Sequence, residues 1–500
     1  MGIDVMKTFV YEQLQVLTAV ADLLYALNIA GIRYCHWKSN LRLEAGLNGR
    51  TDLDLLVDST QQTRFQQILC QHQIKALHAA PGKDYPGIEN YLGFDALSGS
   101  LFHLHVHYQL ILGEQYVKNY HLPIEEQVFD SVCLPQGVLI PASAMELIIL
   151  CLRALLKYRD RDVIKDIFSI RTPGIPTDIA QEIDWLWQQT TAAEISETLR
   201  AINIISEEVI FDFLRTVQSG ERDGWQLYRL RQQVRKALKP FQRYSRLQAA
   251  SIYFLQLWRQ RQGSPPRKMT LANGGRSLAF IGADGAGKST MCQLITDWLR
   301  WKLDVQFYYL GSKQPSRRSQ LLYLLFRAAR RSQRTIAGWL GEESLPCKWL
   351  LKLRKYLRYS HHLSIGRDRL RRYEDSRVKA ETAVVIYDRY PLAAVLDGPK
   401  IALNGQATSV EQAFAAAEQK IYDQIDPPQY FLLLRVRPEV SLQRKPDHSR
   451  TAVTAKANYL AKFASELQAN SDEIDLFTID ANLPFAEVER QLKTAVWQVL

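Results

Sequence analysis

The residues from Gly282 to Ser289 combine glycines, a lysine and a hydroxyl group at a spacing that suits phosphate binding. They run Gly282-Ala-Asp-Gly-Ala-Gly-Lys-Ser289, between an apolar run, Ser277–Ile281, and a helix-period stretch that starts near Met291. Glycines let main-chain N–H groups close around phosphate oxygens, while Lys288 reaches the β- and γ-phosphates and the Ser289 hydroxyl holds Mg²⁺. The pattern predicts a strand, a loop and a helix that bind a nucleoside triphosphate. The nucleotide-binding candidates here are Gly282, Asp284, Gly285, Ala286, Gly287, Lys288, Ser289 and Thr290.

A second apolar run, Ala383–Tyr387, ends directly in Asp388 and Arg389. Its continuous apolar character is typical of a buried parallel strand, and ligands of open α/β sheets sit at the carboxyl ends of such strands. Asp388 would then bind Mg²⁺ together with Ser289, or order its waters, and Arg389 would clamp an anionic acceptor. The alternative is an ordinary ion pair on the surface.

A short basic loop runs from Arg444 to Arg450, after a predicted strand at Tyr430–Val436. Such a loop suits a lid whose arginines stabilise a transferring phosphoryl group while water is expelled. A solvated turn is the alternative. A last strand, Leu476–Ile479, precedes Asp480-Ala481 and an amphipathic terminal helix. The residues predicted to face inward on that helix are Phe485, Val488, Leu492, Val496 and Val499.

From about residue 275 to 500 the sequence resembles the thymidylate kinase family of P-loop nucleoside monophosphate kinases. The shared features are Asp284-Gly285 in the loop, Asp388-Arg389-Tyr390, Glu418 with Tyr422, Pro427 and Pro428, then Pro438-Glu439 and Asp480-Ala481. The resemblance implies a five-stranded parallel sheet, ATP and Mg²⁺ as cofactors, and Asp388 and Arg389 serving acceptor phosphate and metal. It also implies that the loop at Ala481 lies against adenine and that the lid arginines are of the bacterial subtype.

Two segments depart from the family pattern and leave the acceptor open. Gly311–Pro315 replaces an Arg-Glu-Pro-Gly-Gly-Thr-like segment, and Pro391–Pro399 replaces the Ser and Ala-Tyr-Gln positions. Between them lies an insertion at about 314–374. Residues 313–380 hold 18 Lys or Arg against 5 Asp or Glu, a net +13 that exceeds the +11 of the whole chain.

Basic residues alternate with aliphatic and aromatic ones in this insertion, which leaves three interpretations. It could be an amphipathic hairpin that docks on an anionic membrane surface or a polyphosphorylated carrier. It could be a nucleic-acid patch, although no base-reading module is recognisable and nucleic acid is the unfavoured partner. It could also be a helical subdomain whose basic side is simply solvated.

Near the N-terminus, His36-Trp-Lys-Ser39 precedes Asp52-Leu-Asp54. Carboxylates at i and i+2 of a strand share one face and could hold a divalent metal against a triphosphate. Residues 20–135 are similar to the nucleotidyltransferase fold of the polymerase-beta-like superfamily, with Asp52 and Asp54 as the implied metal ligands. A working site, an inactive nucleotide-binding fold and coincidence all remain open. Three histidines on a later strand, which could ligate a metal, line the carboxylate pocket or form a polar sheet face, are His103, His105 and His107.

Length and composition predict several folded domains in the cytoplasm. Five hundred residues exceed one hydrophobic core, and 47% hydrophobic with 23% charged residues excludes disorder. Six isolated cysteines argue against disulfides or a cysteine zinc site, and no segment is apolar enough to span a bilayer. The predicted fold is α/β: a nucleotidyltransferase-like α+β domain (1–140), a helical domain (141–262), a linker (263–275) and a P-loop NTPase domain with a five-stranded parallel sheet (276–500).

Three functional hypotheses follow. The first is an ATP- and Mg²⁺-dependent phosphotransferase that passes the γ-phosphate to a nucleotide-like or other phosphorylated small-molecule acceptor, dTMP being one candidate. The second is an ATP-sensing regulatory or assembly protein with a non-catalytic nucleotidyltransferase-like domain. The third is a nucleotidyltransferase with an accessory kinase in sugar or surface-polysaccharide metabolism. A homodimer is one option for the oligomeric state. The predicted catalytic residues are Lys288, Asp388, Arg389, Arg444 and Arg450.

Overall fold

The structure is a computed structural model of the 500-residue chain. It describes residues 15–114, 116–134, 137–158, 175–219, 224–262, 268–392, 396–403, 407–447, 449–470 and 474–500. The chain divides into two compact units, unit 1 from Met1 to Ala272 and unit 2 from Asn273 to Leu500. That boundary lies within the segment predicted as a linker, of which residues 263–267 are outside the described part. The finer division near residue 140 stays a prediction.

Unit 1 contains a six-stranded mixed sheet and two short hairpins. Its strands are β1 (Tyr34–His36), β2 (Asp52–Val57), β3 (Lys75–His78), β4 (Ile88–Asp95), β5 (Ser100–His107), β6 (Leu110–Leu112), β7 (Tyr120–Leu122), β8 (Val132–Cys133), β9 (Ile140–Pro141) and β10 (Thr270–Leu271). The sheet order is β1-β2-β5-β4-β3-β10, in which only β2 and β5 pair in parallel among the described strands. The sequence predicts strands at Ile32–Trp37, Leu53–Val57 and Leu101–Tyr108, and these correspond to β1, β2 and β5.

Four helices of unit 1 pack around one largely apolar helix. The helices of unit 1 are α1 (Thr18–Ile29), α2 (Leu43–Leu47), α3 (Gln62–Gln71), α4 (Glu125–Asp130), α5 (Ser143–Lys157), α6 (Thr177–Trp187), α7 (Ala192–Ile202), α8 (Glu207–Gln218), α9 (Gly224–Ala237) and α10 (Arg246–Gln262). Helix α5 is buried on nearly every side because α6, α7, α8 and α9 all contact it. The sequence predicts an interruption of the helical segment at Pro173 and Pro176; Pro173 lies outside the described residues, and Pro176 directly precedes α6.

Unit 2 is built on a parallel sheet of five strands. They are β11 (Arg276–Gly282), β12 (Val305–Tyr309), β13 (Val384–Asp388), β14 (Tyr430–Arg435) and β15 (Asp475–Asp480). Their order is β12-β13-β11-β14-β15, and every neighbouring pair is parallel. The predicted five-stranded parallel sheet is confirmed. Its order places the carboxyl ends of β11 and β13 side by side.

Helices connect and cover these strands. They are α11 (Lys288–Leu299), α12 (Arg317–Leu340), α13 (Leu345–Lys379), α14 (Ser409–Tyr422), α15 (Pro438–Arg444), α16 (Arg450–Asn470) and α17 (Phe485–Val499). Four of the five residues predicted to face inward on α17 are buried, but Phe485 is 53% exposed and that prediction is wrong. Phe485 is the first residue of the helix, and the packed face begins one turn later at Val488.

The basic insertion forms a hairpin of two long helices, α12 and α13. The C-terminal part of α13 packs against β12, β13 and α14, with Arg369 and Tyr373 among its buried residues. The other end carries large exposed apolar side chains, described below. Among the described residues, none of the helices combines the length and apolar character needed to cross a lipid bilayer.

Gly93 offers a test of how tightly the sheet of unit 1 is packed. Gly93 of β4 lies opposite Phe102 of β5, and a Cβ added to Gly93 would come within 2.0 Å of the buried Phe102 ring. We expect Gly93→Ala to destabilise unit 1 by about 1–3 kcal/mol, because the ring has no free space to move into. Hydrogen-exchange mass spectrometry should show faster exchange of the β4 and β5 amides. Gly338→Ala, in open space on α12, is the control, and an equally small effect of both variants would contradict the packing.

Candidate functional site

The loop between β11 and α11 has the conformation expected of a phosphate-binding loop. Gly285 and Gly287 both adopt left-handed backbone angles, with φ of 82° and 86°. Residues other than glycine rarely adopt this region of backbone angles. A Cβ on Gly285 would also come within 2.9 Å of the main-chain oxygen of Ser441. The glycines therefore shape a loop that leads directly into the N-terminus of α11, where main-chain N–H groups are unpaired within the helix.

Lys288 folds back over this loop. Its Nζ donates hydrogen bonds to the main-chain oxygens of Gly282 (2.7 Å) and Ala283 (2.9 Å). Burial lowers the pKa of Lys288 to about 8; the Asp284 carboxylate opposes this shift and the Arg389 charge adds to it. The amine is therefore held by neutral carbonyls that an anionic ligand could replace.

Ser289 and Asp388 meet where β11 and β13 end. The Ser289 hydroxyl donates to Asp388 Oδ2 at 2.9 Å. Asp388 is 2% exposed, and its other oxygen, Oδ1, has no hydrogen-bond partner among the described residues. A buried carboxylate oxygen without a donor is costly, and a hydroxyl with a carboxylate is a donor set that Mg²⁺ accepts. The residues present therefore fit the magnesium ion that the resemblance implies.

A cation that the sequence analysis did not find lies beside the loop. Lys456 of α16 forms an ion pair with Asp284, and the Ser441 hydroxyl donates to the Asp284 main-chain oxygen. Lys456 belongs to no motif and lies six residues past Arg450, the end of the predicted lid. No local pattern marks it, because its position depends on how α16 packs against β11 and β15. These contacts tie α15 and α16 to the loop between β11 and α11.

The opposite side of the loop is organised around Asp397. Arg389 Nη1 lies 3.4 Å from Asp397 Oδ2, and Arg369 Nη2 lies 3.3 Å from Asp397 Oδ1. Arg369 is buried and its Nε also donates to the main-chain oxygen of Leu310 at 2.7 Å. The backbone of Arg389 is left-handed, with φ of 59°, which is unfavourable for a residue other than glycine. The insertion thus supplies Arg369, which positions the partner of Arg389.

One cavity of unit 2 brings these groups together. The charged or loop residues that line it are Gly282, Asp284, Lys288, Arg389, Asp397 and Lys456. A second cavity lies near the carboxyl ends of β14 and β15, where Arg437 and Asn482 are among the lining residues. Ala481, implied by the resemblance to lie against adenine, is buried next to it with its main-chain oxygen bonded to Arg444 Nη2 at 3.0 Å.

The remaining predicted residues differ in placement. Arg444 ends α15, and its Nη1 also lies 3.4 Å from the main-chain oxygen of Gly285. Arg450 begins α16 and Thr290 lies in the first turn of α11; both are exposed. Ala286 is buried in the loop. The structure thus brings Arg444 to the loop and leaves Arg450 on the surface of the described part of unit 2.

In unit 1, each predicted metal-binding carboxylate contacts a histidine on the neighbouring parallel strand. The register sets Asp52 beside His103 and Asp54 beside His105, with Nδ1 to Oδ1 distances of 2.9 and 2.7 Å. Lys38 Nζ lies 2.7 Å from the same Asp54 oxygen. His103 and His105 were predicted to share a face with the carboxylates as one alternative, and the contacts agree with it.

These contacts do not suit the divalent metal that the nucleotidyltransferase resemblance implies. Donor atoms of Asp54, His105 and His107 lie within 4.8 Å of one another, a spacing that could in itself hold an ion. Burial opposes ionisation of Asp54, yet the Lys38 ammonium and the His105 hydrogen bond hold the pKa of Asp54 well below its usual value. Because an ammonium already neutralises this carboxylate, a divalent cation beside it would be repelled. Asp52 and Asp54 therefore do not form a fitting metal site.

Comparisons with known proteins leave the chain without an assigned family. No protein-family model matches it, and neither does any curated protein. Among solved structures it is similar to a deoxyadenosine kinase from M. mycoides, whose structure contains the products dCMP and a flexible dCDP. The two are 13% identical with a TM-score of 0.28, over 45% of this chain and 98% of that kinase. A likeness this distant says nothing about substrate or chemistry.

The predicted fold class is confirmed by the architecture itself. Unit 2 is an α/β domain in which a P-loop joins the central strand β11 to α11, and unit 1 combines a mixed sheet with a helical segment. The roles assigned to individual site residues, and the cytoplasmic location, stay predictions.

The lowered pKa of Lys288 can be measured without any ligand. Amines react with acetic anhydride only when deprotonated, so competitive labelling read by mass spectrometry should give Lys288 a midpoint near pH 8. An unshifted lysine has its midpoint about two units higher. Asp284→Asn should move the Lys288 midpoint further down, because the carboxylate that favours the charged amine is lost. A midpoint near that of free lysine, unchanged by Asp284→Asn, would contradict the burial and contacts described.

Proposed function

We propose that unit 2 is an ATP- and Mg²⁺-dependent phosphotransferase of the P-loop kinase type. The observation that carries this proposal is the buried Asp388 carboxylate, which is bonded to Ser289 through one oxygen and has no donor at the other within the described part of the chain. Ser289 and Asp388 would hold Mg²⁺, which supplies charge neutralisation on the phosphates when bound. The left-handed loop glycines present main-chain N–H groups to the same phosphates.

The cations around the loop would stabilise the transferring phosphoryl group. Lys288 can exchange its two carbonyl partners for phosphate oxygens, and the anionic ligand would raise its pKa from about 8 and keep it charged. Lys456 and Arg444 contact the loop from the lid side. Phosphoryl transfer needs positioning and charge stabilisation more than covalent participation, so fixed cations account for most of the expected catalysis.

Arg389 is the proposed anchor for the acceptor. It lines the same cavity as Lys288. Its contact with Asp397 is long, at 3.4 Å, and a phosphate could replace it with a bidentate pair of hydrogen bonds. The acceptor is therefore a small molecule with an anionic group, and the family resemblance suggests a nucleoside monophosphate. The dTMP molecule is one candidate among these, although Gly311–Pro315 departs from the family pattern that places thymidylate.

Replacing Lys288 tests the proposed chemistry. Lys288→Ala should lower kcat of phosphate transfer from ATP by about a hundredfold or more, because a transition-state cation is lost. The assay is transfer of labelled γ-phosphate to a panel of nucleoside monophosphates, sugars and sugar phosphates. Lys462→Ala, which removes an exposed lysine of α16, is the matched control and should leave the rate unchanged.

Two outcomes would count against a kinase. Turnover that survives Lys288→Ala would remove the mechanism. A slow ATPase that no small-molecule acceptor stimulates, but that lipid vesicles or a partner protein stimulate, would favour the ATP-sensing regulatory hypothesis instead.

We also propose that the α12–α13 hairpin docks on an anionic membrane surface. Around its turn, Trp339 is 83% and Leu345 84% exposed, and Leu340 and Trp349 are also exposed. Large apolar side chains are rarely left in water in such a group, and clusters of them mark interaction sites. The surrounding helices carry most of the 18 basic residues of segment 313–380.

Charge and side-chain type favour a lipid surface over other occupants. Tryptophan and leucine suit the boundary between headgroups and acyl chains, and each nearby Lys or Arg adds about 1 kcal/mol of attraction to anionic lipid. Glu342 and Glu343 lie at the turn, although Glu343 is paired with Lys348. The net +13 of the segment still gives it strong attraction for a negative surface.

Vesicle binding tests the hairpin. The protein should co-sediment with phosphatidylglycerol vesicles but not with phosphatidylcholine vesicles, and added salt should weaken binding. Trp339→Ser with Leu345→Ser should weaken vesicle binding about tenfold or more, because two apolar side chains that would insert into the membrane are lost. Trp225→Ser, an exposed tryptophan of unit 1, is the control. Equal binding to both lipids, no effect of the double variant, or binding only to nucleic acid or to a second copy would overturn the proposal.

A further inference from the structure

Four basic side chains of unit 1 lie close enough to one another for their charges to interact, and three of them also interact with the carboxylate of Asp54. The four are Lys38, Lys118, Arg153 and Lys157, which we term the cation cluster. Lys38 bonds Asp54 directly, at 2.7 Å. Lys38 Nζ and Arg153 Cζ both lie over the ring of buried Trp37, at 5.0 and 5.3 Å from its centroid.

The other two members of the cluster approach from a loop and from the end of a helix. Lys157 follows Arg153 by one turn of α5, so the two side chains share a helix face. Lys118 lies between β6 and β7, and its Nζ is 4.5 Å from the ring centroid of Tyr85. Its backbone is left-handed, with φ of 41°. A residue other than glycine in this conformation costs free energy and often marks a functional position.

At Lys118 and Lys157, repulsion from the other cations of the cluster exceeds the attraction of the described carboxylates near them. Burial, together with the charges of Lys38 and Lys157, lowers the pKa of Lys118 to about 7. Asp54 acts in the opposite sense but is already paired with Lys38. Like charges held this close repel one another although Asp54 and Glu182 lie nearby, so such an arrangement suits an anion that binds among them.

We propose that the cation cluster is a metal-independent binding site for a polyphosphate or phosphate-ester ligand. Lys38 takes the place that a divalent metal would have on the Asp54 carboxylate, and Lys118, Arg153 and Lys157 bind the phosphate oxygens. Lysine and arginine contribute charge-assisted hydrogen bonds to phosphate without any bound ion.

This assignment goes beyond the proposed kinase activity, which resides in unit 2. It also differs from nucleotidyl transfer, which needs an Asp-x-Asp pair free to hold a metal. Here both carboxylates are hydrogen-bonded to histidines, and His105 is neutral because burial lowers its pKa to about 4. The site is therefore built to bind a phosphorylated ligand and not to activate one through a metal.

Calorimetry on the full chain tests the site apart from the P-loop. Lys288→Ala serves as the background, and inorganic tripolyphosphate is titrated with EDTA present, so that no metal contributes. Lys118→Met and Lys157→Met should each weaken the measured affinity about tenfold, the effect of losing one charge-assisted contact. Lys236→Met, an exposed lysine of α9, makes the same charge change away from the cluster and should have no effect.

The result that overturns the proposal is an affinity that Lys118→Met and Lys157→Met leave unchanged, or that Lys236→Met lowers equally. Binding that appears only with Mg²⁺ would overturn it as well. A parallel titration with ATP distinguishes the source of the phosphates: tighter binding than tripolyphosphate assigns a nucleotide, and equal binding assigns the phosphate chain alone. Because the background lacks Lys288, neither result depends on kinase activity in unit 2.

Discussion

The contact between the Ser289 hydroxyl and the Asp388 carboxylate determines how unit 2 can work. It exists because β11 and β13 are parallel neighbours, so the residues that follow them meet at one edge of the sheet. Ninety-nine residues separate the two side chains in sequence. The α12–α13 hairpin lies within that interval. It packs on β12 and β13, which remain paired with each other. The phosphate loop, the lid contacts and the proposed acceptor anchor are all arranged around this one junction.

Patterns that depend on local chemistry were predictable from sequence. The glycine spacing of residues 282–289 requires a particular backbone, and the apolar runs before Ser289 and Asp388 are long enough to indicate buried strands. The parallel sheet then brings these motifs together. In unit 1 the pairing of Asp54 with His105 follows from the period of two along strands, once β2 and β5 are known to be neighbours. Strands β3 and β4 escaped prediction because they carry polar residues and partly exposed faces.

Contacts that depend on long-range packing could not be predicted. Lys456 reaches Asp284 from the second turn of a helix, and no local pattern marks it. Arg369 looked like one of many basic residues in the insertion, yet it is buried and holds Asp397 beside Arg389. Lys38 carries no role in the sequence pattern, whereas in the structure its ammonium neutralises Asp54 and changes what that site can bind. In each case a charged side chain is defined by the partner that tertiary structure brings to it.

The most direct test is calorimetry of the full chain with a non-hydrolysable ATP analogue, first with Mg²⁺ and then with EDTA. It measures whether the junction of Ser289 and Asp388 is a magnesium-dependent nucleotide site. The structure predicts binding that is much tighter with Mg²⁺ in the natural protein. In Asp388→Asn, the affinity should be the same with Mg²⁺ and with EDTA, because the buried carboxylate that favours the ion is gone. Absence of any binding heat in the natural protein with Mg²⁺, or a magnesium effect that Asp388→Asn preserves, would contradict this account.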